Sequence, residues 1–342
     1  MMPEELAGFI KEKGEPAYRA SQIFAWLHQK KAESFSEMTN LSATLRGKLE
    51  AEMEITVMRP EKILVSGIDG TRKYVFSLKD GNVIESVFMR YHHGNSVCIS
   101  SQVGCRMGCR FCASTIGGCV RDLTASEMLW EVYRIEKDTG EHVSNVVIMG
   151  SGEPLDNYDE VVRFLRLITD RNGQDMSARN ITLSTCGIVP GILKLTEEGL
   201  PVTLALSLHA PTQELREGIM PIAKAYTLPE VLKACRQYYQ KTGRRVSFEY
   251  AVGKGVNDRM EDADRLAALL YGMNGHVNLI PINPVKETGY RQPEREAVEA
   301  FRDRLLSRGI NVTIRREMGR DISSACGQLR RSHLNDNRNG AD

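Results

Sequence analysis

The chain has 342 residues, of which 42% are hydrophobic and 26% are charged, as is ordinary for a globular protein. This length allows one large domain with small appendages. No apolar run approaches the roughly 20 residues that a membrane-spanning helix needs, and the N-terminus lacks the build of a secretory signal, so we expect a cytoplasmic protein. The formal net charge of +1 neither indicates nor excludes a nucleic-acid partner.

The first 60 residues are predicted to form a small helical accessory domain. Apolar side chains recur at helical spacing over residues 3–13, 18–31 and 41–53, with breaks at Gly14 and Asn40. Basic and acidic residues are nearly balanced in this unit, so its charge does not indicate a partner.

Between residues 61 and 95 the hydrophobic period changes to two, which predicts a β extension. Asp-Gly pairs at residues 69–70 and 80–81 are typical of the tight turns that join antiparallel strands. The predicted strands are 62–65, 73–78 and 83–89.

From residue 96 to the C-terminus, strands and helices alternate, which predicts a mainly parallel sheet with helices outside it. A partial barrel and an open doubly wound sheet both fit this pattern. The strand candidates are 97–100, 145–149, 180–185, 202–208, 245–252, 276–282 and 311–315. The helical candidates are 125–137, 158–169, 228–239, 262–270 and 295–306.

Four of the eight cysteines fall between residues 105 and 119, a density that indicates metal binding or catalysis in a reducing compartment. Cys105, Cys109 and Cys112 follow directly after the first strand of the alternating region. Three thiolates on one loop can hold three irons of a 4Fe–4S cluster and leave the fourth iron open to a substrate. A structural zinc site would need four ligands, commonly two pairs, and Cys119 offers no paired spacing.

The Cys-x3-Cys-x2-Cys spacing, with Phe111 before the last cysteine, resembles the motif of the radical-SAM superfamily. The resemblance implies that S-adenosylmethionine (SAM) chelates the open iron and is cleaved by one electron to a 5′-deoxyadenosyl radical. It also implies a partial (β/α)6 barrel, so that we expect a radical-SAM core over residues 96–342 that includes a C-terminal catalytic loop.

Four further segments resemble the RlmN family of RNA adenine-C2 methyltransferases: 98–105, 112–118, 149–157 and 321–329. The resemblance extends from the strands near Glu85 to Leu329, and residues 1–60 are similar, less specifically, to the family's accessory domain. It implies methylation of carbon 2 of adenosines in 23S ribosomal RNA and in transfer RNA. It further implies two SAM molecules per turnover and an electron donor such as flavodoxin or ferredoxin. We expect a protein that is monomeric or only weakly self-associating and that has no membrane partner.

The strand that ends near residue 149 is followed by Gly150-Ser-Gly152-Glu153, where a barrel carries its ligand loops. The glycines would let the backbone approach a ligand closely, and the Glu153 carboxylate can accept a hydrogen bond from an amine. The resemblance assigns SAM binding to Gly152, Glu153, Ser184, Ser207, Leu208, His209 and Asn283.

Three catalytic roles follow from the resemblance alone. Cys326 would be methylated by one SAM, and its methyl group would then lose a hydrogen atom to the radical. This order is chemically reasonable because the carbon-2 position of adenine is electrophilic, so a carbon radical can add where a methyl cation cannot. Cys98 would resolve the protein–RNA adduct by attacking the Cys326 sulfur and forming a transient disulfide. Glu85 would accept the carbon-2 proton.

Several alternatives stay open. The nearest is a carbon-8 adenine methyltransferase of the related Cfr type, which confers antibiotic resistance, although residues 112–118 are more similar to the carbon-2 group. A radical activase acting on a protein glycine has no evident need for the Cys98–Cys326 pair. A non-catalytic electron carrier or zinc module would not cleave SAM. Arginines between residues 310 and 331 suit a solvated surface or, if RNA binds there, phosphate contacts. Cys119, Cys186 and Cys235 are predicted to be buried thiols.

Overall fold

The computed structural model describes residues 1–285 and 287–323. Three helices open the chain: α1 (Pro3–Glu12), α2 (Tyr18–His28) and α3 (Ala43–Glu52). Helix α1 begins with a proline at its first position, where the missing N–H would have no helical partner. Helix α3 begins where the Ser42 hydroxyl accepts a hydrogen bond from the Leu45 N–H at 3.2 Å.

Twelve strands and seven further helices follow in the described part of the chain. The strands are β1 (Arg59–Val65), β2 (Arg72–Ser77), β3 (Val83–Tyr91), β4 (Gly94–Ile99), β5 (Gln102–Gly104), β6 (Cys119–Asp122), β7 (Asn145–Ile148), β8 (Ile181–Thr185), β9 (Thr203–Ser207), β10 (Val246–Val252), β11 (Gly275–Pro281) and β12 (Val312–Ile314). The helices are α4 (Ala125–Thr139), α5 (Tyr158–Ile168), α6 (Val189–Glu197), α7 (Gln213–Ile219), α8 (Leu228–Thr242), α9 (Met260–Leu270) and α10 (Arg295–Ser307).

Ten of the strands form one sheet in the order β1-β2-β3-β4-β7-β8-β9-β10-β11-β12, while β5 and β6 form a separate hairpin. The pairs from β1 to β4 are antiparallel, and every pair from β4 to β12 is parallel. A parallel pair needs a crossover, and each of the six crossovers between these strands contains at least one helix. Within the described residues β1 and β12 do not pair with each other, so the barrel stays partial.

The two faces of the sheet differ in chemistry. Residues that point outward, such as Leu204, Leu206 and Phe248, are at most 1% exposed because the helices cover them. The alternate residues on the inner face include serines, threonines and charged groups that border cavities. Because side chains alternate along a strand, one strand supplies both the core and the site.

The sequence-predicted strands and helices are confirmed, with ends that differ by a few residues. The prediction missed α6, α7 and the β5–β6 hairpin. The strands over residues 61–95 are hydrogen-bonded into the same sheet as the parallel strands, so they extend the barrel wall. None of the described helices is both long and apolar enough to cross a membrane.

The N-terminal helices are fixed to the barrel through helix α4. His28 and the Tyr133 hydroxyl are hydrogen-bonded at 2.9 Å in a buried contact, and Lys31 forms an ion pair with Glu136. Burial lowers the pKa of His28 to about 3, so this imidazole is neutral near pH 7. The accessory unit therefore packs on the outer, helical layer of the barrel and not over its inner face.

Candidate active site

The register of the strands brings two of the three predicted catalytic residues, Glu85 and Cys98, to the inner face of the sheet. Residues paired directly across two strands point to the same side. Val87 on β3 pairs with Cys98 on β4, and Cys98 pairs with Val147 on β7. Glu85 lies two residues before Val87 and therefore shares this face.

The same row continues through the parallel strands. Val147 pairs with Thr182 on β8, which in turn pairs with Thr203 on β9. Ser184 lies two residues beyond Thr182, and Ser207 lies four residues beyond Thr203. The hydroxyl oxygens of these two serines are 3.4 Å apart. The inner face thus carries Cys98 and Glu85 on its antiparallel side and two candidate SAM contacts on its parallel side.

The three motif cysteines lie on the loop that links strand β5 to the short helical turn at residues 113–115. Cys105 is buried, while Cys109 and Cys112 are half-buried. All three border a cleft with an empty volume of about 970 Å³, together with Ser184, Ser207 and other inner-face residues. The cleft therefore leaves room for a ligand beside the thiols.

The chemistry of this loop fits an iron–sulfur cluster. Burial raises the pKa of the Cys105 thiol to about 12 and that of the Cys109 thiol well above its usual value. A bound metal removes such protons because only the thiolate is a ligand. Among the described residues, no three His, Cys, Asp or Glu side chains converge as the ligands of one ion would. The thiolates of an iron–sulfur cluster each bind a different iron, so they need not converge on a single ion.

The glycine loop after β7 is held against β4 and the start of β5. A Cβ atom on Gly150 would lie 2.6 Å from the Ile99 carbonyl oxygen. Gly152 has a φ of +109°, and its added Cβ atom would lie 2.7 Å from the Gln102 backbone nitrogen. Only glycine fits at these two positions, because atoms of the protein itself occupy the space that a side chain would need. The close approach to a ligand stays a prediction.

Glu153 is buried at the bottom of the cleft and binds the neighbouring backbone. Its carboxylate accepts hydrogen bonds from the N–H of Cys186 at 2.7 Å and of Leu155 at 3.1 Å. Burial raises its pKa, while these hydrogen bonds oppose that shift. The side chains of Thr185 and Cys186 also donate to this carboxylate. An amine ligand in the cleft would therefore have to replace one of these four donors, since a carboxylate has about four acceptor positions.

The remaining candidate SAM contacts occupy different environments. His209 is buried, and its Nδ1 accepts a hydrogen bond from the Ala251 N–H at 2.9 Å. Burial lowers the pKa of His209 to about 3, so the ring is neutral. Asn283 borders the cleft, whereas the Leu208 side chain is fully buried in the core. Leu208 itself does not line the cleft, although its neighbours Ser207 and His209 do.

Glu85 lies on β3, which belongs to the main sheet, and its side chain is only 2% exposed. Its carboxylate is 3.1 Å from the ammonium nitrogen of Lys73, which is also buried. The Ser100 hydroxyl donates a hydrogen bond to the Glu85 carbonyl oxygen at 2.9 Å.

Cys98 is a buried thiol in a small apolar cluster. It packs with Val87 and Met89 of β3 and with Met318 from the segment after β12. The C-terminal segment therefore contacts the surroundings of Cys98 before it reaches residue 326. Cys326 itself lies outside the described residues.

The segment that leads toward Cys326 is bound to the β1–β2 turn. Asp321 accepts hydrogen bonds from the Ser66 hydroxyl at 2.6 Å and from the Gly67 N–H at 2.9 Å. Asp69 accepts from the Gly319 N–H at 3.0 Å, which is a second anchor between the same two regions. The described chain thus ends, at Ser323, beside the antiparallel strands that carry Glu85.

Two family models match the chain. Residues 1–55 match the N-terminal domain of the ribosomal RNA large subunit methyltransferase, and residues 99–267 match the radical SAM superfamily. A probable dual-specificity RNA methyltransferase RlmN from Lachnospira eligens is 57% identical over 97% of this chain and 95% of its own length. A protein of the same name from Lachnoclostridium phytofermentans is 58% identical over 96% of this chain and 93% of its own length.

A radical SAM methyltransferase from Sphaerobacter thermophilus has a similar crystal structure. It is 42% identical, has a TM-score of 0.92, and the match covers 96% of this chain and 98% of that chain. The chain belongs to the RlmN family of radical-SAM RNA methyltransferases. It is therefore an enzyme whose cofactors are a 4Fe–4S cluster and SAM.

The cysteines outside the family motif occupy three different environments. Cys235 is fully buried in the core, and Cys186 is buried beside Glu153 at the edge of the cleft, as predicted for both. The prediction is wrong for Cys119, which is half-exposed on β6 because the two-stranded hairpin covers only part of it. Cys119 does not border the cleft that the three motif cysteines share.

Arg216 on α7 is a site residue that the sequence analysis missed. Its buried guanidinium donates to the carbonyl oxygens of Cys186 at 2.6 Å and of Ser207 and Leu208 at 3.2 Å. These carbonyls lie just at or after the ends of β8 and β9, so Arg216 fixes the cleft wall from behind. No local motif marks this arginine, since its partners are between eight and thirty residues away.

The arginines between residues 310 and 331, here called the basic segment, are divided between the inside and the outside of the barrel. Arg315 borders the cleft, where its guanidinium lies 3.5 Å from the Met149 sulfur. Arg316 and Arg320 are exposed. The other two arginines of the predicted patch, Arg330 and Arg331, lie outside the described residues.

Proposed function

We propose that this enzyme methylates carbon 2 of specific adenosines in 23S ribosomal RNA and in transfer RNA, in the cytoplasm and as a monomer. The name of the two similar proteins, dual-specificity RNA methyltransferase, supports two classes of RNA substrate. A flavodoxin or ferredoxin would supply the electron. The observation that carries the proposal is that Glu85 and Cys98 share the inner face of the sheet with the cysteine cleft, next to the segment that leads to Cys326.

The residues would hold the cofactors in the following way. Cys105, Cys109 and Cys112 would bind the cluster, and the cleft beside them would hold SAM. When bound, the two cofactors supply a methyl group and a radical that can remove a hydrogen atom. The residues that would contact SAM are Gly152, Glu153, Ser184, Ser207, Leu208, His209 and Asn283.

Three side chains would then act on the substrate in turn. Cys326 accepts the methyl group and carries its carbon to the base, where a carbon–carbon bond forms at carbon 2. Glu85 accepts the proton that leaves carbon 2. The Cys98 thiolate attacks the Cys326 sulfur and forms a disulfide. The electron pair of the broken sulfur–carbon bond stays with the carbon, which takes up a proton and becomes the methyl group of the product. The apolar surroundings of Cys98 keep the thiol close to the incoming segment through Met318.

A pair of variants tests this division of roles. Cys98→Ala should accept the carbon on Cys326 and join it to the RNA, but it should not release the product. Denaturing electrophoresis should therefore show RNA tethered to the protein, and mass analysis of the digested adduct should identify a methylene bridge. Cys326→Ala should retain cluster and SAM but form no tether. Free methylated RNA from Cys98→Ala would contradict the resolving role.

Mass mapping of the methylated nucleoside tests the regiochemistry. A carbon-2 product supports the proposal, whereas a carbon-8 product would assign the chain to the Cfr-type reaction. The two products have the same mass, so the nucleosides must be separated against synthetic standards before fragmentation. RNA stem-loops from the ribosomal and the transfer RNA sites should both be methylated if the specificity is dual.

A further inference from the structure

Lys73 has a position that neither the family motifs nor the roles proposed above explain. It lies on β2, where it pairs with Val87 of β3, while Glu85 pairs with Val75. Lys73 and Glu85 are therefore diagonal neighbours on the inner face, a separation that a long side chain can span. The ammonium nitrogen reaches the Glu85 carboxylate at 3.1 Å, and both side chains are almost completely buried.

The same ammonium group has a second partner from the opposite end of the chain. It donates a hydrogen bond to the Ser323 carbonyl oxygen at 3.3 Å. Ser323 is three residues before Cys326 and two residues after Asp321, which is itself bound to Ser66 and Gly67. Lys73 therefore contacts both the proposed proton acceptor and the backbone of the segment that carries the proposed carbon donor.

A buried ion pair is weak support for a purely stabilising role. Two charges lose their hydration when they are buried, and an apolar pair of similar volume is often equally stable or more stable. The lysine ammonium group has three rotatable N–H donors, so it can donate to a carboxylate and to a carbonyl that lie in different directions. Such a group suits a contact that must hold two independent elements at one point.

We propose that Lys73 is a positioning residue for proton removal from the RNA base, because it holds the Glu85 carboxylate and the Cys326 segment in one place. This inference rests on the proposed function of Glu85 and Cys326. In the step concerned, the carbon–hydrogen bond at carbon 2 breaks, its proton moves to a Glu85 oxygen and its electron pair stays with the base. Lys73 takes no part in this proton transfer and contacts no reacting atom.

The test follows a single turnover on an RNA stem-loop whose target adenosine carries either hydrogen or deuterium at carbon 2. Samples are quenched over time, and the RNA-tethered protein is measured by denaturing electrophoresis. In Lys73→Met we expect the tether to persist about 10- to 100-fold longer than in the parent enzyme, somewhat less than the roughly 10²–10⁴-fold contribution of a positioned general base. Its decay should also become slower with deuterium, because proton removal would limit the rate.

Matched variants separate positioning from folding. Lys73→Arg keeps the charge and should restore tether decay to within a few-fold of the parent. Lys79→Met removes another lysine of the β extension, one that forms an exposed ion pair with Glu54. The tether of this variant should decay at the rate of the parent enzyme. If the methionine variant does not fold, Lys73→Gln keeps a donor without the charge and should still show the deuterium effect.

The outcomes distinguish this inference from the proposed function. A Lys73→Met enzyme that methylates RNA with no longer-lived tether and no deuterium effect would overturn the positioning role and leave the proposed function intact. A uniform loss of Cys326 methylation and tether formation would also overturn it, because the lysine would then be structural. If Cys98→Ala forms no tether with any RNA, the proposed function itself fails.

Discussion

The cysteine end of the inner face and its antiparallel side are built in different ways. At the cysteine end, loops after the strands carry the ligands, and their shape depends on glycines packed against backbone and on carbonyls held by Arg216. On the antiparallel side, Lys73 and Glu85 project from strand interiors, and register alone brings them together. Under the proposed function, the first region would serve the cofactors, and the second would serve the steps that need the RNA base.

The difference explains why only one of these regions carries a compact motif. Loop ligands are close in sequence because one loop must surround one cofactor. Residues joined by strand register are separated by turns, as Lys73 and Glu85 are. The hydrogen bond between Asp321 and Ser66 joins residues that are separated by most of the chain. Variants in the two regions should therefore fail at different steps.

The largest expected effect is at the cysteine end. Cys109→Ala should lower the iron content of the reconstituted protein from about four atoms per chain to a small remaining fraction, because one iron would lose its protein ligand. The variant should also lose reductive SAM cleavage. Iron and sulfide analysis with measurement of 5′-deoxyadenosine checks this under anaerobic conditions. Cys235→Ala is the control, since that thiol is buried in the core, and it should load iron normally. A Cys109→Ala protein that still cleaves SAM would show that the ligand assignment is wrong.

A smaller effect is expected from the glycine loop. Gly150→Ala should destabilise the fold by about 1–3 kcal/mol, because the new methyl group meets the Ile99 carbonyl at 2.6 Å and the backbone must shift. Urea unfolding of the apoprotein checks this value. Gly47→Ala on α3 has no atom within 4 Å of its added methyl group and should instead stabilise by up to about 1 kcal/mol. Equal effects at the two positions would mean that the loop adapts freely.

Much of the fold was predictable from the sequence. The period-two and period-3.6 patterns located the ten strands of the main sheet and eight helices. The missed helix α6 contains Pro190 and Gly191, which argue against a helix in isolation. The structure shows why the glycine is there, since an added Cβ atom would lie 2.8 Å from the Leu155 Cβ atom. Packing against other elements decides whether such a segment forms a helix, and the local sequence pattern does not contain this information.

The site was predictable only where it is local. The three motif cysteines and the glycine loop have recognisable spacing, and the structure brings them to one cleft. The burial of Glu85 was missed because a charged residue on a strand is usually placed on the solvent face. Its partner Lys73 is on the neighbouring strand, so neither residue alone indicates the pair. Arg216 was missed for the same physical reason.

On the antiparallel side, Asp321→Ala should slow tether formation several-fold while the urea midpoint stays close to that of the parent. The variant loses the hydrogen bonds to Ser66 and Gly67, so the segment before Cys326 is held less firmly. Hydrogen exchange at the Gly67 amide should become faster in the same variant. Asp303→Ala removes an exposed carboxylate on α10 and serves as the control. Unchanged tether formation in Asp321→Ala would mean that this anchor does not limit the reaction.

The smallest effect is expected at the exposed end of the basic segment. Arg316 and Arg320 are solvent-exposed near the anchored C-terminal segment, where an incoming RNA backbone would pass, whereas Arg315 faces the cleft. Each phosphate of single-stranded RNA that an arginine neutralises adds about 0.7 to the slope of log affinity against log salt. The double variant Arg316→Gln/Arg320→Gln should therefore bind RNA more weakly at low salt and with a shallower slope.

The control for this prediction is Arg295→Gln/Arg302→Gln, which removes two arginines of α10 that form surface ion pairs with Glu299 and Asp303. It changes the net charge by the same amount, so a general electrostatic effect would reduce the slope equally in both double variants. A specific role in RNA binding requires a larger reduction for Arg316 and Arg320. Because these two arginines lie outside the inner face, the rate of tether decay in bound complexes should not change. Equal slopes in the two variants would assign both pairs to the solvated surface and leave RNA binding to other parts of the chain.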